Sequence, residues 1–178
     1  EYDKNINELL AKEEYQQKII WRLSATIAFI LVIVSLLLIY KQVLQRKKYY
    51  SMALTDYLTK SFNRRGIMKK AANTLKQSNA TIAIVDLDLF KHINDTYGHD
   101  VGDAVLVAFA RAAQSILDDG DQFGRYGGEE WLFVLNTVDK KSVEATFDSI
   151  ANALTNYCSE IEDLKNTETI TFSAGAAI

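Results

Sequence analysis

Residues 23–40 form a run of 18 uncharged, mostly apolar residues bounded by Arg22 and Lys41. As a helix such a run is about 27 Å long, close to the roughly 30 Å of a bilayer's hydrocarbon core. Only Ser24, Thr26 and Ser35 interrupt its apolar surface, whereas a buried core helix normally keeps a polar stripe. Trp21 and Tyr40 bracket the run as interfacial aromatics, Arg22 can snorkel outward, and Ile19 and Ile20 extend its apolar length. A cleaved signal peptide fits less well, because its apolar region is shorter and here a mixed-charge segment, residues 1–20, precedes the run. The expectation is one transmembrane helix over residues 21–40. A core helix is the alternative.

Lys4, Lys12, Lys18 and Arg22 precede the span, while Lys41, Arg46, Lys47, Lys48 and Lys60 follow it. The bias is modest and favours a cytoplasmic C-terminal side. Residues 1–20 then face outward as a polar juxtamembrane helix with Ile6, Leu9 and Leu10 on one side, and residues 41–54, free of Gly and Pro, read as a connecting helix. A single globular domain over residues 55–178 completes the chain. The chain opens on Glu1 and stops within an apolar run at Ile178, so it is expected to be a segment of a longer protein.

A formal charge of -3, from 20 basic and 23 acidic residues, gives no polycationic signature, so bulk binding to nucleic acid is not expected. Cys158 is the only cysteine, which excludes an intramolecular disulfide and a multi-cysteine metal cluster. A small buried hydrophobe is its expected role.

Beyond the connecting helix the pattern alternates. Ile67, Met68, Ala71, Ala72 and Leu75 mark a helix, residues 81–86 a buried strand, and Val105, Phe109, Ala112 and Ile116 a second helix that stops at Gly120. Residues 122–126 and 131–136 flank a Gly-Gly turn as a hairpin. Val143, Phe147, Ile150, Leu154 and Tyr157 repeat at helical spacing, and residues 169–178 read as another strand. The class is α+β, with helices packed on a mainly antiparallel sheet.

Two places carry candidate chemistry. Residues 82–85 are all apolar, as in a strand covered on both faces, and the run ends in Asp86-Leu87-Asp88. At a period of two both carboxylates point to one face, where ionised acids need a counter-charge. A divalent cation supplies one, and Mg²⁺ prefers oxygen ligands while leaving room for phosphates. A pair of solvated strand-end acids is the alternative. The second place is Gly127-Gly128-Glu129-Glu130, whose glycines permit positive φ and let a phosphate or base approach the backbone. Neighbouring strand residues face opposite ways, so Glu129 and Glu130 are expected to serve different tasks. Alone, this is an ordinary turn with solvated acids.

Taken together, DLDLFKHINDTYGHDVGDAVL at residues 86–106, RYGGEEW at 125–131 and LTDYLTKSFNRRG at 54–66 resemble the motifs of GGDEF-domain diguanylate cyclases, in the same order. TITFSAGAAI at 169–178 resembles a late strand of that domain, so the similarity covers residues 50–178. The resemblance implies a palm-like fold related to nucleotide cyclases and polymerases, and condensation of two GTP molecules into cyclic di-GMP with release of pyrophosphate. Carried over by position, it implies that Asp86 and Glu129 bind Mg²⁺ with the Leu87 carbonyl as a backbone ligand, and that Glu130 is the second acid of the motif, so that Glu129 and Glu130 are the catalytic candidates. Two Mg²⁺ per site are implied, with Mn²⁺ as a substitute.

Asn94 and Asp103 match the guanine-reading positions, where an amide and a carboxylate pair with an edge that adenine would leave unsatisfied. Read locally, Asn94 is instead a turn residue and Asp103 a first-turn helix carboxylate. Leu89, Phe90 and Lys91 resemble the phosphate-contacting loop, and Gly127 and Gly128 line the substrate. Lys91 is also readable as a solvated charge. One GTP per subunit implies a homodimer on the inner membrane, single-pass, with the GGDEF domain cytoplasmic.

The sequence departs from the family pattern at three points. The family's inhibitory RxxD motif falls on residues 118–121, where Asp118 stands in place of the arginine, so no inhibitory site is expected. Trp131 replaces the usual phenylalanine. The family's last helix and strands, with basic phosphate contacts, would follow Ile178. A catalytically inactive, GTP-binding regulatory domain and a purely dimeric membrane scaffold are the rival readings.

Overall fold

The computed structural model describes residues 2–165 and 169–177. Residues Glu1–Tyr49 form one unit and Tyr50–Ile178 a second. The first helix, α1 (Tyr2–Met52), runs without a break, as expected of a stretch with no Gly or Pro to interrupt it. Every residue from 23 to 40 is exposed among the described residues. The helix is long and apolar enough to cross a membrane by length and composition.

The second unit is built on a five-stranded sheet with order β1-β3-β4-β2-β5, comprising β1 (Phe62–Asn63), β2 (Thr81–Leu87), β3 (Gln122–Arg125), β4 (Glu130–Leu135) and β5 (Phe172–Ala177). Only β1 and β3 run parallel; the other pairs are antiparallel. Ile178, the end of the expected last strand, lies outside the described residues. The helices are α2 (Arg64–Thr74), α3 (Phe90–Tyr97), α4 (His99–Ile116) and α5 (Lys140–Cys158). Two starts have side-chain caps: Asn63 accepts from the Gly66 N–H and Asp139 from the Ser142 N–H, each at 2.9 Å, satisfying backbone donors the helix itself leaves open.

One face of the sheet carries the main core. Val85, Trp131 and Phe133 meet Val105, Phe109, Ile150 and Leu154 there, and Phe109 packs its ring 4.8 Å from the Trp131 ring. Cys158 belongs to this core, and burial pushes its thiol up to about 11, consistent with an inert packing role. On the opposite face α2 buries Ile67 and Ala71 against Leu132 and Val134. That cover does not extend fully over β2. Ile82 is half-buried and Ile84 is 52% exposed, while Ala83, Val85 and Leu87 are buried. The expectation of a strand covered on both faces is therefore corrected, since a continuous apolar run also suits a strand with one wholly covered face.

The Trp131 indole Nε1 is buried without a hydrogen-bond partner among the described residues. An unsatisfied buried donor costs about 1–3 kcal/mol, and shrinking the ring loses packing worth about 2 kcal/mol. These oppose each other. Trp131→Phe is expected to unfold within about 1 kcal/mol of the parent despite complete burial, in chemical denaturation. A loss well beyond that would show that packing around the indole outweighs the orphaned N–H.

Candidate active site

The site is assembled from the C-terminal end of β2, the β3–β4 turn, and the start of the α3–α4 pair. Asp86 is exposed and lies directly opposite Glu130 on β4 and Ser173 on β5. Opposed residues of an antiparallel pair project to the same face, and like charges placed so are destabilising. No hydrogen bond or ion pair reaches the carboxylates of Asp86, Glu129 or Glu130 among the described residues. Asp88 differs. Its two oxygens accept hydroxyls of Thr171 (2.6 Å) and Ser173 (2.8 Å). The sequence pattern made Asp86 and Asp88 the pair in need of a counter-charge. The ladder register instead pairs Asp86 with Glu130, and Asp88 is already satisfied.

Strand β3 ends at Arg125 and β4 begins at Glu130, so the connection has four residues rather than a two-glycine hairpin turn. The Tyr126 and Gly127 N–H groups both donate to the Glu130 carbonyl, at 2.7 and 3.1 Å. Neither Gly127 nor Gly128 has a positive φ, so the turn does not use the left-handed freedom that glycine permits. The glycines supply space instead. A Cβ on Gly127 would lie 2.5 Å from Oε2 of Glu130, and one on Gly128 would have nothing within 4 Å, leaving that backbone open to a ligand.

Arg125 holds this turn. Its Nε donates to the Gly128 carbonyl at 2.8 Å, and its guanidinium lies 3.5 Å from Asp56. Burial alone would raise the Asp56 carboxyl, but the Thr59 N–H and hydroxyl and the Arg125 guanidinium outweigh it and hold the group below the usual carboxylate range. Leu87, the last residue of β2, donates its N–H to the Glu129 carbonyl at 3.4 Å, which sets the Glu129 backbone beside the end of β2.

Leu89 has a left-handed backbone (φ 55°) and is 73% exposed. For a bulky L-residue this conformation costs energy and clusters at functional turns. It starts α3, whose Phe90 and Ile93 are buried anchors, leaving Lys91 exposed and Asn94 half-buried. Asn94 thus belongs to a helix and not to a turn. Gly98 joins α3 to α4 with φ 87°, a junction that favours glycine, and its N–H donates to the Asn94 carbonyl at 2.9 Å. Asp103 falls beyond the first turn of α4, where the acidic residue is Asp100, so the helix dipole does not account for it.

A pocket of about 470 Å³ gathers Phe90, Lys91, Asn94, Asp95, His99, Asp103, Leu106, Arg125, Gly128 and Glu129. That size suits a small-molecule ligand. Six of the residues singled out in the sequence therefore share one wall: Phe90, Lys91, Asn94, Asp103, Gly128 and Glu129. Asp86, Leu87, Leu89, Gly127 and Glu130 are not among its lining residues; Asp86 and Glu130 adjoin it through the β2–β4 ladder. Reading by residue type missed Arg125, His99 and Gly102. Gly102 left a signal in the chain, a glycine inside a strongly amphipathic helix. A Cβ there would sit 2.0 Å from Oδ1 of Asn94.

The donor set fits a hard cation. Among the described residues no group of three or more His, Cys, Asp or Glu side chains is placed to hold a metal ion. Asp86 and Glu129 with the Leu87 carbonyl would instead make an open, all-oxygen set with positions left for water or phosphate, the habit of Mg²⁺.

The chain is similar to known proteins in sequence and in fold. Residues 53–178 match the family described as "Diguanylate cyclase, GGDEF domain". The chain is 41% identical over 108 residues to a diguanylate cyclase of Vibrio cholerae, covering 57% of this chain and 32% of that protein. It is 35% identical over 102 residues to the probable diguanylate cyclase DgcC of Escherichia coli K12, covering 54% of this chain and 28% of that protein. The chain thus spans about a third or less of these relatives. Its structure is similar to that of diguanylate cyclase SiaD of Pseudomonas aeruginosa, solved with its activator SiaC, with a TM-score of 0.65, 26% identity, and coverage of 92% of this chain and 65% of that one.

Proposed function

Since this chain belongs to the GGDEF-domain family, matched over residues 53–178, we propose that the protein is a diguanylate cyclase that condenses two GTP into cyclic di-GMP and pyrophosphate. The observation that carries this reading is the single pocket holding Asn94, Asp103, Lys91, Gly128 and Glu129 beside the opposed carboxylates of Asp86 and Glu130. Asn94 and Asp103 offer the amide and carboxylate chemistry that distinguishes guanine from adenine. Lys91 and the backbone of Leu89 and Phe90 receive the phosphates, and Gly127 and Gly128 let the nucleotide approach the turn.

In the reaction the ribose 3′-hydroxyl of each GTP attacks the α-phosphorus of the other, each hydroxyl loses its proton, and two bonds to pyrophosphate break, one per GTP. Asp86, Glu129 and the Leu87 carbonyl would hold Mg²⁺, or Mn²⁺ in its place, which stabilises negative charge on the phosphate oxygens when bound. Glu130, directly opposite Asp86, is the second acid of the site and a candidate for a second cation, and Glu129 or a bound water would take the hydroxyl proton. Each domain presents one GTP, so a homodimer completes the reaction. Residues 21–40 cross the inner membrane once, residues 1–20 lie outside, and residues 41–54 connect the span to a cytoplasmic GGDEF domain over 55–178. Orientation follows the positive charge after the span and the cytoplasmic supply of GTP.

The full-length protein incubated with GTP and Mg²⁺ is expected to yield cyclic di-GMP, followed by chromatography. A dimeric sample that binds GTP but forms no product would move the assignment to a regulatory GTP-binding domain. Failure to bind GTP would leave a dimeric scaffold.

Product inhibition at the usual place is expected to be absent. The cavity there is lined by Asp118, Asp119 and Asp121 against one ammonium, Lys60, whose Nζ donates to the Tyr57 carbonyl. Asp121 is further engaged by the Asn136 N–H at 2.8 Å. Asp118→Arg is expected to tighten cyclic di-GMP binding about 10-fold to 100-fold in calorimetric titration, the worth of new charge-assisted hydrogen bonds. Tight binding by the parent protein that is lost on Asp121→Ala would overturn this expectation.

A further inference from the structure

We propose that Asp88 is a positioning residue for the catalytic end of β2, acting through the hydroxyls of Thr171 and Ser173 and not as a metal ligand; this rests on the cyclase reading above. Three bonds converge on it. Its Oδ2 accepts from Thr171 Oγ1 at 2.6 Å, its Oδ1 from Ser173 Oγ at 2.8 Å, and its N–H donates to the Thr171 carbonyl at 2.9 Å. The clamp sits where β2 stops and the backbone turns into the left-handed Leu89 that opens α3. Leu87, one residue before it, carries the carbonyl assigned to the cation, and Lys91, three residues after it, faces the pocket. Asp86 has no such hydroxyl partners, although Ser173 lies opposite it in the ladder. The two acids of Asp86-Leu87-Asp88 therefore divide the work: one carboxylate is free, and the other pins the strained turn to β5.

A hydroxyl can donate or accept, so an asparagine at this position can keep both bonds, with its oxygen accepting one hydroxyl and its amide donating to the other. A metal ligand would not survive that exchange, whereas a clamp would. The test compares Asp88→Asn, Asp88→Ala and the double variant Thr171→Val/Ser173→Ala in the full-length protein. The first readout is amide hydrogen exchange over residues 87–93 without nucleotide or metal. The second is kcat and KM for cyclic di-GMP formation, with Mn²⁺ binding followed by electron paramagnetic resonance.

Exchange is expected to rise about tenfold in Asp88→Ala and in the hydroxyl double variant, with kcat falling by about 10-fold to 100-fold, as for outer groups that orient ligands. Asp88→Asn is expected to stay within about threefold of the parent in exchange, kcat and Mn²⁺ affinity. Combining Asp88→Ala with the hydroxyl changes is expected to add no further loss, because all remove one clamp. Loss of Mn²⁺ binding in Asp88→Asn, or parent-like behaviour of the hydroxyl double variant, overturns the proposal. If the parent makes no cyclic di-GMP yet the exchange pattern holds, the cyclase reading fails and the clamp stands.

Discussion

Asp86→Asn is expected to lower cyclic di-GMP synthesis by at least about 10²–10³-fold, the scale on which removal of one dedicated electrostatic group at a reaction centre acts, while leaving the fold as stable as before or more so. The two effects separate because of where Asp86 sits. It is exposed at the end of β2, directly across from Glu130, and no hydrogen bond or ion pair reaches its carboxylate among the described residues. Removing its charge relieves a like-charge pair worth a few tenths of a kcal/mol to about 1 kcal/mol. A metal-bound group shows the opposite balance, since the cation needs the charge that the empty fold does not. Steady-state rates with Mg²⁺, alongside thermal unfolding without metal, check both halves. Equal loss of activity and stability would assign Asp86 a structural role.

Gly102→Ala is expected to weaken GTP binding about 10-fold to 100-fold, equivalent to the hydrogen bonds that Asn94 makes to a nucleobase. The added Cβ would fall 2.0 Å from Asn94 Oδ1 and 3.3 Å from the tip of the Phe90 ring. The asparagine amide is the free end of a flexible side chain, so it can swing away, and with it goes half of the guanine-reading pair. Stability moves the other way, because Ala is better than Gly inside a helix by about 1 kcal/mol. Calorimetric titration with GTP and with ATP distinguishes the two outcomes. Loss confined to GTP assigns the effect to base reading, and unchanged GTP binding would place the guanine elsewhere.

Much of the candidate site could be read from the chain, and what escaped did so for identifiable reasons. The eight residues of α3 carry only Phe90 and Ile93 as buried anchors, too few to show a helical period, so Asn94 read as a turn. The Gly-Gly pair read as the hairpin turn because two glycines between strands are a common hairpin signal; here the turn is wider and Arg125 closes it from the side. The Arg125–Asp56 pairing joins residues 69 positions apart, and no local pattern announces it.

By itself the sequence determined whatever depends on neighbours along the chain. The unbroken apolar run compelled a long helix, periods of two and 3.6 placed most strands and helices, residue chemistry marked Asp86, and the resemblance to the GGDEF family added Glu129, Asn94 and Asp103 as candidates. Tertiary structure alone decided which acid answers which. The β2–β4 register set Glu130 opposite Asp86, the arrival of Thr171 and Ser173 from the far end of the chain neutralised the apparent equivalence of Asp86 and Asp88, and the packing of α3 on α4 made Gly102 the space in which Asn94 is held. The physical reason is that a carboxylate's role depends on the donors and charges within a few ångströms, and in a sheet those come from strands remote in sequence.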